Sequence, residues 1–243
     1  FTVEVERSLR VLDGAVVIFC GVGGVEPQSE TVWHQADKYK VPRIVYINKL
    51  DRVGADFYRV VDEIKDKLGA TPILMQIPIG TENNFSGIID LITMKSYIYL
   101  DDTGENVTCG NIPKEYTELA NKYRQNLIEA VSEVDDDILA KYLESKEISE
   151  EELISAIRKG CWKNIFYPTF CGSSFRNKGV QQLLDAVNEY LPSPLDIPPI
   201  TGINPLTGEN ETRLTSVDEP LSALIFKVAT DPFIGTLAFT RVY

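Results

Sequence analysis

Ile44-Val45-Tyr46-Ile47-Asn48-Lys49-Leu50-Asp51 is an apolar β-type run that stops at a polar cluster, with Arg52 and Gly54 just beyond. The cluster has the chemistry to read a base. Guanine offers two neighbouring donors, its ring N–H and its amino group, and a carboxylate at Asp51 can accept from both. Adenine has no such pair there and would leave the carboxylate unpaired, a loss that discriminates by roughly 10⁴ or more in favourable sites. Asn48 can tie the loop to neighbouring backbone and reach the base. The aliphatic stem of Lys49 can lie over the ring while its ammonium stays in water. The same residue types also crowd ordinary strand-to-helix turns, so the cluster needs a second piece beside it.

Outward from this stretch the chain alternates strand and helix. Ala15–Cys20 is unbroken and apolar, which predicts a strand buried on both faces of a parallel sheet. Gly21-Val22-Gly23-Gly24 has no Gly-Lys-Ser/Thr behind it and is read as a turn. Thr2–Leu12 reads as a short helix, and Pro27 opens another that runs to about Lys40. Beyond Gly54, Phe57, Val60, Val61, Ile64 and Leu68 share one helical face, closed by Gly69. Tyr167–Gly172 returns to the buried-strand pattern and ends in Ser173-Ser174-Phe175, before an amphipathic helix led by Gly179. Three strands with helices between them imply a parallel sheet with right-handed crossovers. Ligands of such sheets sit outside the carboxyl ends of the strands. Asn48–Asp51 and Ser173–Phe175 are therefore expected on one rim, where a small-residue loop can turn a backbone N–H toward the guanine O6.

Between these blocks the texture changes. Ile73–Ile79, Gly87–Leu91 and Lys95–Leu100 read as β pieces, followed by a turn at Asp102-Thr103-Gly104. Three helical stretches come next, the last capped by Ser149 with Glu152 three residues on. Asp101–Gly160 holds 15 acidic against 7 basic residues. That acidity reads either as a solvated face or as a docking face for a basic protein. After Leu191, Pro192, Pro194, Pro198, Pro199 and Pro205 mark an extended linker. Ala223–Ala229 and Leu237–Tyr243 then read as a first hairpin of a β-type domain. The expected organisation is residues 1–191, with an insertion at about 70–160, a linker at 192–219, and the start of a β-barrel domain at 220–243.

Composition excludes several classes. The net charge of −12 disfavours general binding to nucleic acid phosphates. Cys20, Cys109, Cys161 and Cys171 are far apart and form no Cys-x-x-Cys pair, which fits a reducing compartment. The single His34 leaves a histidine triad or a histidine metal site without enough parts. No apolar run approaches the length of a membrane span. The chain starts at Phe1 rather than Met and is expected to be a fragment.

Over nearly its whole length the sequence resembles the elongation factor G family of translational GTPases. The residues that carry the resemblance are Phe1–Val16, Gly23–Trp33, Asn48-Lys49-Leu50-Asp51-Arg52, Gly172–Gln181 and Tyr190–Asp196. It implies a GTPase-type α/β fold whose parallel sheet is incomplete here, with an α+β insertion and the start of a β-barrel domain. It also implies GTP and GDP as ligands, with Asn48, Lys49, Leu50, Asp51, Ser173, Ser174 and Phe175 forming the base site. The phosphate loop, first switch, catalytic histidine and Mg²⁺ ligands of the family would lie upstream of Phe1. No catalytic residue and no metal ligand is then expected in this chain, which alone should hydrolyse no GTP. Thr2–Leu12 resembles the helix after the second switch. The family usually has Ser-Ala where Ser173-Ser174 stands. By resemblance the protein is a cytoplasmic monomer that works on the ribosome, moving tRNA and mRNA, and meets the ribosomal stalk protein through the acidic insertion. No membrane and no sequence-specific nucleic acid is expected as a partner. A recycling-specialised paralogue, a ribosome-docking module without nucleotide binding, and an unrelated α/β enzyme with a chance Asn-Lys-x-Asp remain the other readings.

Overall fold

The computed structural model describes Thr2–Tyr243; Phe1, first residue of the expected domain, lies outside the described residues. At its centre is a four-stranded parallel sheet made of Ala15–Cys20 (β1), Arg43–Asn48 (β2), Pro72–Leu74 (β3) and Tyr167–Cys171 (β8). The strands lie in the order β1-β2-β8-β3. Both β2 and β8 are central and almost wholly buried, as their continuous apolar runs require. Packed around the sheet are α1 (Thr2–Leu9), α2 (Pro27–Lys38), α3 (Phe57–Leu68) and α7 (Val180–Tyr190). The α3 helix begins where Asp56 accepts from the Arg59 N–H at 3.0 Å and ends at Gly69 in a left-handed conformation. Its expected apolar face, Phe57 to Leu68, is buried against the sheet.

One expectation fails at β1. Its unbroken apolar run predicts burial on both faces, but the strand lies at the sheet edge and Ile18 is 57% exposed. Periodicity reports that a strand wants cover, not whether the chain supplies it.

The stretch Ile73–Ile79 is not one strand. It splits at Met75, whose N–H donates to Thr169 O in the parallel sheet while its carbonyl accepts from Leu91. Past Met75 the chain enters a second, antiparallel sheet of β4 (Gln76–Ile79), β5 (Gly87–Asp90), β6 (Lys95–Tyr99) and β7 (Val107–Gly110), in that order. Pro78 is tolerated because β4 is an edge strand. Three helices follow: α4 (Thr117–Ser132), α5 (Asp136–Leu143) and α6 (Glu150–Trp162). The α6 helix opens with the reciprocal Ser149–Glu152 cap read from the sequence. A single continuous apolar cluster joins these helices to the central sheet, through Leu127, Ile138, Leu153 and Ile157 on one side and Ile44, Ile47 and Phe170 on the other.

Inside the stretch expected as a linker, β9 (Ile200–Ile203) pairs with β10 (Asn210–Arg213) in a short hairpin. Proline density marked the extended backbone there but gave no sign of the pairing. The hairpin expected last is present as β11 (Ala223–Asp231) and β12 (Gly235–Val242). It meets the start of the chain through Arg241, which is ion-paired with Asp13, and Lys227, 3.3 Å from Glu4. The whole is an α/β parallel sheet carrying an α+β insertion and followed by β-rich structure. No helix among the described residues is long and apolar enough to cross a membrane.

Candidate base-recognition site

The loops after β2 and β8 meet at the carboxyl ends of neighbouring parallel strands. Their backbones are joined directly: Gly172 N–H donates to Ile47 O at 3.0 Å, and Leu50 N–H donates to Gly172 O at 3.2 Å. Gly172 has to be glycine. A Cβ there would collide with both Lys178 O and the Tyr46 hydroxyl. Tyr46 is fully buried in β2 and reaches under the second loop to donate to Lys178 O at 3.3 Å.

In the first loop, Asn48 Oδ1 accepts from two backbone donors, Lys49 N–H at 2.8 Å and Ser174 N–H at 2.9 Å. Its oxygen is thereby spent on tying the loops together. Its NH₂ has no partner among the described residues and is left to a ligand. Lys49 stands at φ 65°, in the left-handed region that a non-glycine residue adopts only where its surroundings demand it. Leu50 is buried, and with Ala55 it packs against Gly21. Its part is therefore to anchor the loop by its side chain.

Asp51 is the centre of the site. Ser173, fully buried, donates its hydroxyl to Asp51 Oδ1 at 2.6 Å, and Arg176 Nε lies 3.4 Å from Oδ2. Burial opposes the charge on Asp51. Hydrogen bonds from Ser173, its own backbone N–H and Arg176, with the Arg176 charge, outweigh it and hold the carboxyl below the usual carboxylate range. The group is thus an anion at neutral pH, 13% exposed, with acceptor capacity to spare. That suits a pair of N–H donors in one plane.

The second loop is closed by Ser173 and Lys178, which exchange backbone hydrogen bonds at 2.9 and 3.0 Å. Ser174–Arg176 forms a single 3₁₀ turn between them. Phe175 is 90% exposed and takes no part in the core. The glycine-rich turn Gly21–Gly24 is clamped, as Arg59 donates to Gly21 O at 3.0 Å and Val22 O at 2.7 Å. Two of its carbonyls are thus occupied by a guanidinium, and its Gly21 and Gly24 N–H groups donate to Asn48 O and Cys20 O.

The structure therefore brings Asn48, Lys49, Leu50 and Asp51 together with Ser173 and Ser174, and leaves Phe175 projecting at the margin. Sequence reasoning overlooked Arg176 and the residue that shares it, Asp102, whose Oδ1 lies 2.5 Å from Arg176 Nη1. No spacing or periodicity connects positions so far apart, and Asp102 was legible only as part of a turn.

A parallel sheet with two polar loops joined at adjacent strand ends has the layout of a nucleotide-binding α/β domain. The family model described as Elongation factor Tu GTP binding domain matches residues 1–193, and the chain belongs to that family of translational GTPases. A crystal structure of a protein from Thermus thermophilus superposes with a TM-score of 0.80 at 30% identity. The match covers 100% of this chain and 33% of that one, so the chain spans about a third of the relative's length. By its description the matched family model is that of a GTP-binding domain.

Proposed function

We propose that this chain is the guanine-reading part of an elongation factor G, a protein that uses GTP to drive tRNA and mRNA through the ribosome. The observation that carries the reading is the meeting of Asp51 with Ser173, and of Asn48 with Ser174, at the ends of β2 and β8. In it, Asp51 accepts from the guanine ring N–H and amino group, Asn48 donates from its free NH₂, the Lys49 stem covers the ring, and the Ser174 region presents backbone to O6. Phe175 flanks the base from the solvent side.

The residues assigned here select the base. None of them performs chemistry on the phosphates, and the sequence holds no Gly-x₄-Gly-Lys-Ser/Thr loop. In the family the nucleotide brings Mg²⁺, which neutralises charge on the phosphates. Among the described residues no group of three or more His, Cys, Asp or Glu gathers to hold an ion, and none is assigned to it.

The proposed organisation is a GTPase part at 1–191 with its insertion near 70–160, a connector at 192–219, and a β domain from 220. The proposed partner is the ribosome in the cytoplasm, including the stalk protein at the insertion. There Glu133, Asp136, Asp137, Glu144, Glu147 and Glu151 are acidic residues exposed at the surface, which favours a basic partner.

Asp51→Asn in the intact protein tests the reading. The amide can donate to the carbonyl that xanthine carries in place of the amino group, whereas the carboxylate cannot. Preference between GDP and XDP should move toward XDP by about 100-fold or more. A preference that does not move would remove Asp51 from base reading.

A further inference from the structure

Asp51 is held from the insertion as well as from its own rim. Arg176 reaches Asp51 Oδ2 with Nε and Asp102 Oδ1 with Nη1, so one guanidinium spans two carboxylates from distant parts of the chain. Its donors are fixed in one planar fork, so engaging two acceptors sets the plane of the group.

Asp102 lies in the turn between β6 and β7, and that turn is a built structure. Asp101 accepts from the N–H groups of Thr103 at 3.1 Å, Glu105 at 3.2 Å and Asn106 at 3.0 Å. Gly104 stands at φ +67°, and a Cβ on it would come within 2.6 Å of Arg176 O and 2.5 Å of Asn177 O. The turn therefore rests backbone to backbone on the loop that carries Ser173. Asp102 also faces Lys178 at 4.0 Å, whose ammonium donates to Phe85 O at 3.4 Å. Nearby, Tyr99 of β6 accepts from Gly179 N–H at 2.8 Å and donates to Gln182 Oε1 at 3.0 Å.

Each carboxylate oxygen of Asp51 has two lone pairs. Ser173 donates to Oδ1 and Arg176 to Oδ2, so each oxygen is fixed by one side-chain donor. We propose that Arg176 is a positioning residue for the base-reading carboxylate of Asp51, and that Asp102 of the insertion sets how firmly it holds. The inference rests on the guanine reading above. It joins the insertion to the base site: drawing Asp102 away from Arg176 loosens Asp51, and a bound guanine in turn steadies the 101–106 turn, because such coupling is reciprocal.

The test measures affinities of the intact protein for GDP and for IDP, whose base lacks the amino donor. The variants are Arg176→Ala, Arg176→Gln, Asp102→Asn, the Arg176→Ala/Asp102→Asn pair, and Asp51→Asn as reference. Arg176→Ala and Arg176→Gln should weaken GDP about tenfold, the size of one charge-assisted hydrogen bond. They should weaken IDP less, so that the guanine-to-hypoxanthine preference shrinks. Asp102→Asn should give about a two- to threefold loss, as one end of a partly exposed pair. The double variant should be no weaker than Arg176→Ala alone, since Asp102 acts through Arg176. Equal losses for GDP and IDP would assign Arg176 a merely structural role and overturn the proposal. Additive losses in the double variant would overturn the part assigned to Asp102. If Asp51→Asn leaves base preference unchanged, the guanine reading fails first. If Asp51→Asn shifts it while both Arg176 variants keep the wild-type ratio, only the present inference fails.

Discussion

Removing the Ser173 hydroxyl should cost stability in a way that depends on pH. The bond from Ser173 to Asp51 is 2.6 Å long, within the range of an O–H···O⁻ hydrogen bond, and its donor residue is fully buried. Ser173→Ala deletes that donor and leaves Asp51 one partner short. Hydrogen bonds to charged groups contribute about 1.5–3 kcal/mol, and Asp51 retains enough exposure to accept a water instead, so about 1.5 kcal/mol is expected. With a urea slope of about 2 kcal/mol/M, the unfolding midpoint should fall by roughly 0.7 M at pH 7. The folded-state pKa of Asp51 lies below its ordinary value, partly through this hydroxyl. Its contribution is therefore fully present above the unfolded-state pKa and is lost as pH falls through the folded one. Ser173→Ala reduces that depression, so the gap between wild type and variant should be widest at neutral pH and close as pH drops below about 4. Urea unfolding of the chain followed by the fluorescence of Trp33 and Trp162, both near the central sheet, reads this directly. A gap that stays constant from pH 7 to pH 3, or widens toward acid, would refute the assignment of the stabilisation to an ionised Asp51.

Other outcomes follow from the same structure. The 243-residue chain by itself should hydrolyse no GTP and bind GDP weakly: most nucleotide affinity comes from a phosphate cradle and Mg²⁺, and the net charge of −12 opposes a polyphosphate. Micromolar binding in isothermal titration would show that the base site carries the energy itself. Gly160→Ala, usually favourable within a helix, should here destabilise by about 1–3 kcal/mol through overpacking. The added methyl would run into the Phe166 ring, and a raised melting temperature would contradict that packing.

The sequence alone was enough for the parts whose physics is local. Unbroken apolar runs located β2 and β8, the 3.6-residue spacing of Phe57 to Leu68 located the buried face of α3, and the Ser149–Glu152 spacing located the start of α6. Because parallel strands present their carboxyl ends on one side, the same reading also placed Asn48–Asp51 and Ser173–Ser174 on a common rim. What tertiary structure decided were the questions of pairing, which depend on partners far away in the chain. Local apolarity could not tell that β1 is an edge strand, that Ile73–Ile79 divides between two sheets at Met75, or that the proline-rich stretch folds a hairpin at Ile200–Arg213. The ties on Asp51 are of the same kind. A hydroxyl from beyond β8 and a guanidinium shared with the insertion converge on one carboxylate, and hydrogen bonds and ion pairs act over a few ångströms of space with no regard for sequence distance. Residue types announce what such groups can do; only the packed chain brings them within reach.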